Sequence, residues 1–271
     1  MSRTTAGAAL TAEHRRRQLA VRARTLQEFL AVAGIWSLSD TASFDRMVSA
    51  AIPLVQARHG TSAAVAAGYF EAFRAAEQVD GAARAVPAAP LDRDRIAAGL
   101  YSTGQVQARR SVMAGMTFEQ VRSTAVTSMT GSVTRLVLDG GRDTLLSSAV
   151  DDRQIISWMR VTSGDPCPFC AMLASRGPAY TSRESATAVT GRGGRPRGRR
   201  QIGESYHDNC VCTIEPYYEG SSMPESSRRW RDLWNESQRE AEASGELNRG
   251  TSNDALNAFR RVLSKELTTA A

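Results

Sequence analysis

All four cysteines and one of the three histidines of this 271-residue chain fall between Ile155 and Tyr218. They form two knuckles, Cys167-Pro168-Phe169-Cys170 and, further on, His207-Asp208-Asn209-Cys210-Val211-Cys212. Thiolate and imidazole donors spaced C-x2-C and H-x2-C suit a tetrahedral zinc ion, because two ligands from one tight turn bind without stretching the backbone. Cys167, Cys170, His207 and Cys210 make the simplest set of four. Cys212 is a rival fourth ligand, since on a strand one intervening residue returns its side chain to the face of Cys210. Disulfide bonds and buried thiols acting as small core residues are the competing readings. Clustered cysteines in a chain without a secretion signal point more often to metal or catalysis.

These residues need strands and a turn to hold them. The apolar run Ile155, Ile156, Trp158, Met159, Val161 ends at Ser163-Gly164-Asp165-Pro166, the pattern of a strand entering a turn. Pro168 and the following Ala-Met-Leu-Ala-Ser suit a short helix that Gly177-Pro178 stops. Val211, Thr213 and Ile214 predict a second strand, with Pro216 near its end. The two knuckles then offer sulfur and nitrogen to a common point.

The order strand, Val-Thr-Ser-Gly-Asp-Pro-Cys-Pro-Phe-Cys, short helix, Tyr-His-Asp-Asn-Cys-Val-Cys-Thr-Ile-Glu-Pro resembles the C-terminal module of MuF-type phage minor capsid proteins, the head-morphogenesis family. The matching positions are Thr162, Asp165, Cys167, Cys170, His207, Cys210 and Cys212, within residues 150 to 218. Where that family usually has an arginine between its last two cysteines, this chain has Val211. The resemblance implies a virion protein inside the capsid at the portal vertex, made in the host cytoplasm, that supports head assembly and DNA packaging or delivery. It implies the portal protein as partner, with scaffold protein, major capsid protein and further copies of the chain on the portal as candidates.

The net charge of +6 is localised. Arg192, Arg195, Arg197, Arg199 and Arg200, in the insert Thr-Gly-Arg-Gly-Gly-Arg-Pro-Arg-Gly-Arg-Arg, supply five of those charges without an acidic neighbour. With no apolar residue to bury, the insert at 190–201 is expected to be disordered or ordered only by a ligand. Its arginines suit non-specific contact with DNA phosphates, and the absence of interleaved aromatics argues against base stacking. No segment approaches the uninterrupted apolar length of a membrane span, so a soluble chain with no membrane partner is expected.

Periodicity predicts helices around this module, and a fold class that is predominantly α with a small α+β cysteine/histidine, zinc-like module, hence α+β overall. A helical domain over 1–150, the module over 151–220 and C-terminal helices over 221–271 are the expected divisions. Residues 10–34 read as a helix with Leu19, Ala23, Leu26, Phe29, Leu30 and Ala33 inward. A second helix starts after the cap Asp40, with Pro53 kinking or dividing it and His59-Gly60 breaking it before a third. Gly81 to Pro90 reads as a linker or extended crossing. Helix returns from Asp92 to Met113, with a weak point at Ser102-Thr103-Gly104. Thr117 and Gln120 suit a capping box opening a helix that Asp139-Gly140-Gly141 ends, with a short helix after it. Helices over about 225–243 and 253–268 close the chain, and Trp230 and Trp234, four apart on one face, suit anchoring the first of them on the body, with a partner as the alternative. His14 and His59 are expected to face solvent or fill a helix surface.

Three catalytic readings fit part of the pattern. Cys167-Pro168-Phe169-Cys170 between strand and helix is similar to the active-site turn of glutaredoxins, where a helix N-terminus lowers the first thiol's pKa. The cis-proline turn of that fold has no counterpart here, and the second knuckle would go unexplained. Pro166-Cys167-Pro168-Phe169-Cys170 matches half of the zinc-deaminase signature, but no upstream H-x-E supplies the glutamate. A zinc-dependent nuclease would use His207 and Asp208 without a second histidine nearby. The expected work is therefore binding rather than catalysis.

Overall fold

Long amphipathic stretches in the first half of the chain become long helices. The computed structural model describes residues 2–81, 83–150, 152–162, 166–180, 209–249 and 254–269. Helix α1 spans Thr5–Ala33, capped by Thr4, whose side chain accepts from the Gly7 amide. Helix α2 spans Thr41–Ala76 and is capped by Asp40 as expected, through the Ala42 amide. Contrary to expectation, α2 is divided neither at Pro53 nor at His59-Gly60. An interior proline and glycine together cost roughly 4 kcal/mol. The buried row Phe44, Met47, Val48, Ala51, Val55, Ala66, Phe70 and Phe73 on the same helix outweighs that.

Residues 83–90 run extended along the bundle, pinned where the Val86 amide donates to Ser148 Oγ (2.8 Å) and the Ala88 amide to Thr144 Oγ1 (2.9 Å). Helix α3 is Arg93–Tyr101 and α4 is Gln107–Met113. The weak point between them is a π-helical turn, Ser102–Val106, in which a side chain at Gly104 would collide with Phe44 and Met129. Helix α5, Phe118–Ser148, opens with the expected capping box: Gln120 N donates to Thr117 Oγ1 (3.3 Å) and Thr117 N to Gln120 Oε1 (3.0 Å).

The expected stop at Asp139-Gly140-Gly141 is a correction, because α5 runs through it. A Cβ at Gly140 would overlap the His59 carbonyl, and one at Gly141 would overlap Gln18 and Ser62. The two glycines let α5 lie against α1 and α2 at close range. The inward face of α1 also differs from expectation: Thr11, His14, Gln18, Thr25, Phe29 and Ala33 are buried, whereas Leu19, Ala23 and Leu30 are exposed. Cross-helix hydrogen bonds make a polar seam tolerable. Gln18 Nε2 donates to the Ser62 carbonyl (3.0 Å) and Ser62 Oγ to Gln18 Oε1 (2.7 Å). Both histidines expected near solvent are buried, and His59 lies between the carbonyl oxygens of Leu136 (2.9 Å from Nδ1) and Ala89 (3.3 Å from Nε2).

The module is small. Strands β1, Ile155–Val161, and β2, Thr213–Tyr218, pair antiparallel from Ile155 opposite Tyr218 to Val161 opposite Thr213, with a bulge at Ile156. Helix α6, Pro168–Ser175, starts with proline at its first position. Helices α7, Glu225–Ala243, and α8, Asp254–Thr269, fall where periodicity predicted them. Trp230 is buried and donates from Nε1 to Thr162 Oγ1 (2.9 Å), and Trp234 meets Phe259 edge-on, so this pair anchors α7 on the body. The fold is mostly helical with one two-stranded sheet among the described residues.

One hydrophobic cluster fills the bundle of α1, α2, α3 and α5. A second joins Phe70, Phe73 and Leu146 of that bundle to Trp158, Ile214, Tyr218 and three of the cysteines, so core packing is continuous across residue 150. A third holds α7 and α8 on α6 through Ala171, Ala174, Trp230, Phe259 and Leu263. Among the described residues no helix is long and apolar enough to cross a membrane.

Candidate metal centre and the buried polar network around it

Pairing of Val161 with Thr213 brings the exit of β1 beside the entrance of β2, so each knuckle sits at one end of the same ladder. Cys167 is the N-cap of α6: its Sγ accepts from the Cys170 amide at 3.4 Å, and the residue is exposed. Cys170, one turn on, points inward and is buried, as are Cys210 and Cys212. The three buried sulfurs lie within 4.8 Å of one another, with Cys170 Sγ 3.5 Å from Cys210 Sγ. Cys212 is thus a member of the cluster and no mere rival of Cys210, because their one-residue spacing sends both side chains to the same inner side. Cys167 stands outside this trio. Thr162 is the buried acceptor for Trp230. Asp165, His207 and the insert arginines Arg192, Arg195, Arg197, Arg199 and Arg200 lie outside the described residues.

No disulfide joins any two of the four cysteines in this structure. The Cys170 thiol is pushed far up from its ordinary pKa, first by its hydrogen bond with Cys167, then by those with Cys210 and Cys212 and by burial. At Cys212 the bond from Cys170 favours the thiolate, but the contact with Cys210 and burial outweigh it, so Cys212 also stands well above the ordinary range. Arg160, buried on β1, favours the Cys212 thiolate by its charge. Arg15 on α1 feels the same sulfur in return: burial lowers its pKa, and Glu215 and Cys212 oppose that.

These residues fit a zinc ion. Three sulfurs converge in a space closed to solvent, and a divalent cation would relieve their mutual resistance to ionisation by taking all three as thiolates. Arginines near the sulfurs offset the negative charge that such a thiolate-rich site carries. Cys167 and His207 are the candidates for the fourth donor.

Sequence reasoning missed the side chain that holds the second knuckle. Arg142 of α5, buried, donates from Nε to the Cys212 carbonyl (3.0 Å), from Nη2 to the Cys210 carbonyl (2.7 Å) and from Nη1 to Asp139 Oδ1 (3.0 Å). The signal available was the Asp139–Arg142 spacing, an i, i+3 pair that makes sense only if the helix continues through the two glycines.

It also missed a polar junction between bundle and sheet. Glu215 on β2 is fully buried and accepts from Tyr69 Oη (2.7 Å) and Thr213 Oγ1 (3.1 Å). Tyr69 Oη also lies 2.9 Å from Thr11 Oγ1, and the His14 ring stacks on Tyr69 at 4.3 Å. Ser62 donates to Gln18 Oε1, which leaves Gln18 Nε2 as the donor toward His14 Nε2 (3.2 Å). The other ring nitrogen of His14, Nδ1, faces Glu215 Oε1 at 3.7 Å. Burial first, and then the Glu215 charge, raises the Tyr69 pKa well above its ordinary value. At the other end of β2, Asp152 accepts from Tyr218 Oη (2.9 Å) and pairs with Arg74. Glu215 sits between Ile214 and Pro216 in what reads as an apolar strand, and that placement was its signal.

Comparisons with known proteins bear on the whole chain. The "Gene 15 protein" of Mycobacterium phage D29 is 26% identical over 243 residues, covering 80% of this chain and 85% of that protein. No solved structure matches significantly. The sequence model described as VG15 protein matches residues 5–237, taking in the bundle, the cysteine cluster and most of α7. A match over that much of the chain, beside a relative encoded by a phage, makes this a member of the VG15 protein family.

Proposed function

We propose that the chain is a structural component of a phage head, a MuF-like minor capsid protein that binds at the portal vertex and assists head assembly and DNA packaging or delivery. The observation that carries this reading is the closed cysteine cluster: Cys170, Cys210 and Cys212 are all buried, and Arg142 covers the backbone of the second knuckle. A centre of that kind joins two chain segments and leaves no room for a substrate at its sulfurs. The phage-encoded relative supports a phage setting for the chain. Zinc held by the trio and a fourth donor would then act as a staple for the module, supplying folding energy rather than a reactive water.

A glutaredoxin-like reaction would need Cys167 and Cys170 to act as a pair apart from other thiols, and Cys170 is already engaged with Cys210 at 3.5 Å. The portal protein is the proposed partner, and the arginine insert the proposed contact with DNA phosphates. The test is co-expression of the full chain with the portal protein encoded by the same phage, followed by co-purification, together with mass spectrometry of purified virions. Association with the portal and presence in virions are expected. Absence from both, with catalytic reduction of glutathione mixed disulfides that Cys167→Ser abolishes in a folded protein, overturns the reading.

A further inference from the structure

The end of the bundle opposite the sheet exposes apolar side chains that the fold itself does not use. The hairpin from α4 to α5 is exposed at every residue from Val112 to Gln120, and Met113 and Phe118 are 88% and 77% exposed. The segment is nonetheless built rigidly. Gly115 turns it with φ +75°, and the Thr117–Gln120 capping box fixes the start of α5. Its apolar side chains line two grooves that share a wall formed by Trp36 and Leu38. One groove, of about 560 Å³, runs along Phe118; the other, of about 500 Å³, runs along Val112 and Met113. Exposed apolar residues gathered around grooves on a capped hairpin are the anatomy of an interaction site.

The charges beside the grooves select the occupant. Arg122 edges the first groove and Arg109 the second, with Arg110 next to it, and among the described residues none of the three has an acidic partner. The nearby acids are largely engaged: Asp40 pairs with Arg46, and Asp45 accepts from Tyr101 Oη (2.5 Å). That leaves Glu119 as the acid lining the first groove. A second copy of this chain would bring the same arginines to the contact, like charge against like charge.

We propose that these grooves receive an amphipathic helix of another head protein, with leucine-, phenylalanine- or methionine-like anchors on one side and carboxylates on its flanks. This deepens, and rests on, the minor-capsid reading, in which that helix belongs to the portal protein. Anchors at i, i+3 or i+4 and i+7 reach both grooves across the Trp36–Leu38 wall, and the flanking carboxylates meet Arg109, Arg110 and Arg122.

The experiment measures binding of the full chain to the portal protein encoded by the same phage, at low and high salt. It compares wild type with Met113→Ser/Phe118→Ser and with Arg109→Glu/Arg110→Glu. All four altered side chains are exposed, and circular dichroism checks that the variants stay folded. The apolar double variant is expected to bind about ten-fold or more weakly. The charge-reversed variant should also bind more weakly and lose most of the salt dependence of wild type. Equal binding by wild type and the apolar variant overturns the surface assignment and leaves the minor-capsid reading standing. No binding by wild type removes both. Concentration-dependent self-association in sedimentation that Met113→Ser/Phe118→Ser abolishes replaces the helix with a second copy of this chain.

Discussion

Arg142, in the last third of α5, donates from Nη2 to the backbone carbonyl of Cys210 at 2.7 Å, and its Nε reaches the Cys212 carbonyl at 3.0 Å. One guanidinium therefore sets the height and tilt of the loop that presents both cysteines, while its third contact ties it to Asp139 on its own helix. Replacing Arg142 with leucine leaves two carbonyls without that donor and a buried carboxylate short of its nearest partner. The expected loss is about 3 kcal/mol, read from urea denaturation midpoints. Arg142→Lys keeps the charge without the fork and should fall between the two. A leucine variant as stable as wild type would show that the clamp carries no weight.

Freshly purified protein is expected to hold one zinc per chain. Because all three buried sulfurs converge, Cys170→Ser, Cys210→Ser and Cys212→Ser should each release the ion, and chelation should unfold the module while the bundle helices persist. The contribution of such a site is on the order of 10 kcal/mol. Elemental analysis of Cys167→Ser beside His207→Ala identifies the fourth donor as whichever variant loses metal. Stoichiometric zinc in Cys212→Ser, or no metal together with disulfides by mass spectrometry, contradicts the trio.

Glycines in the helices should respond in opposite senses. Gly140→Ala drives a methyl group into the His59 carbonyl, a backbone atom that no rotamer change can move, and should cost about 1–3 kcal/mol. Gly60→Ala meets nothing within 4 Å on an exposed helical turn and should stabilise by about 0.5–1 kcal/mol. Thermal melts of the pair check this, and a neutral Gly140→Ala would mean that α2 and α5 can part without cost.

Much of this architecture was legible before any coordinates. The Asp40 and Thr117–Gln120 caps, the Pro168 start of α6, both strands and the two C-terminal helices are local patterns whose physics lies within a few residues. What was not legible depended on a neighbour. Gly140-Gly141 reads as a helix stop until His59, Gln18 and Ser62 are seen pressing on it. The polar seam of α1 reads as solvent-facing because nothing near Thr11, His14 or Gln18 in sequence announces Tyr69, Glu215 or Ser62 as partners. The cysteines could be recognised as a cluster from spacing alone, yet the inward turn of Cys212 and the outward place of Cys167 follow from strand register and from α6 using Cys167 as its cap.

Alkaline pH should unfold the junction between bundle and sheet. Tyr69 and Tyr218 are held above the ordinary tyrosine range of about 10, each mainly by burial and then by the carboxylate of Glu215 or Asp152. The folded chain keeps these protons after the unfolded chain has lost them. Their contribution is therefore complete below about pH 10 and falls as pH rises beyond it. Denaturation midpoints between pH 8 and pH 11 should be level and then drop, with the phenolate absorbance of these residues appearing in step with loss of helix signal. Phenolate absorbance from Tyr69 and Tyr218 in a fully folded chain would reverse the assignment.

The arginine insert should confer weak, sequence-independent affinity for duplex DNA. Serine at Arg195, Arg197, Arg199 and Arg200 removes up to four phosphate contacts and should flatten the salt dependence of binding without altering the melting temperature. Equal binding by wild type and the serine variant at low salt would leave the insert without a nucleic-acid role.

Glu215 lies 146 residues beyond Tyr69, the phenol that donates to it. On a ribosome adding roughly 5–20 residues per second, Tyr69 waits on the order of 10 s or more for that carboxylate to be made. Throughout that interval the side of the bundle that carries Thr11, His14 and Tyr69 meets water. Hydroxyl and imidazole groups are at ease there, whereas a row of leucines would invite association between neighbouring nascent chains. The polar seam thus keeps one part of that face, beside the apolar Phe70, Phe73 and Leu146, at ease in water until the second half arrives to close over it.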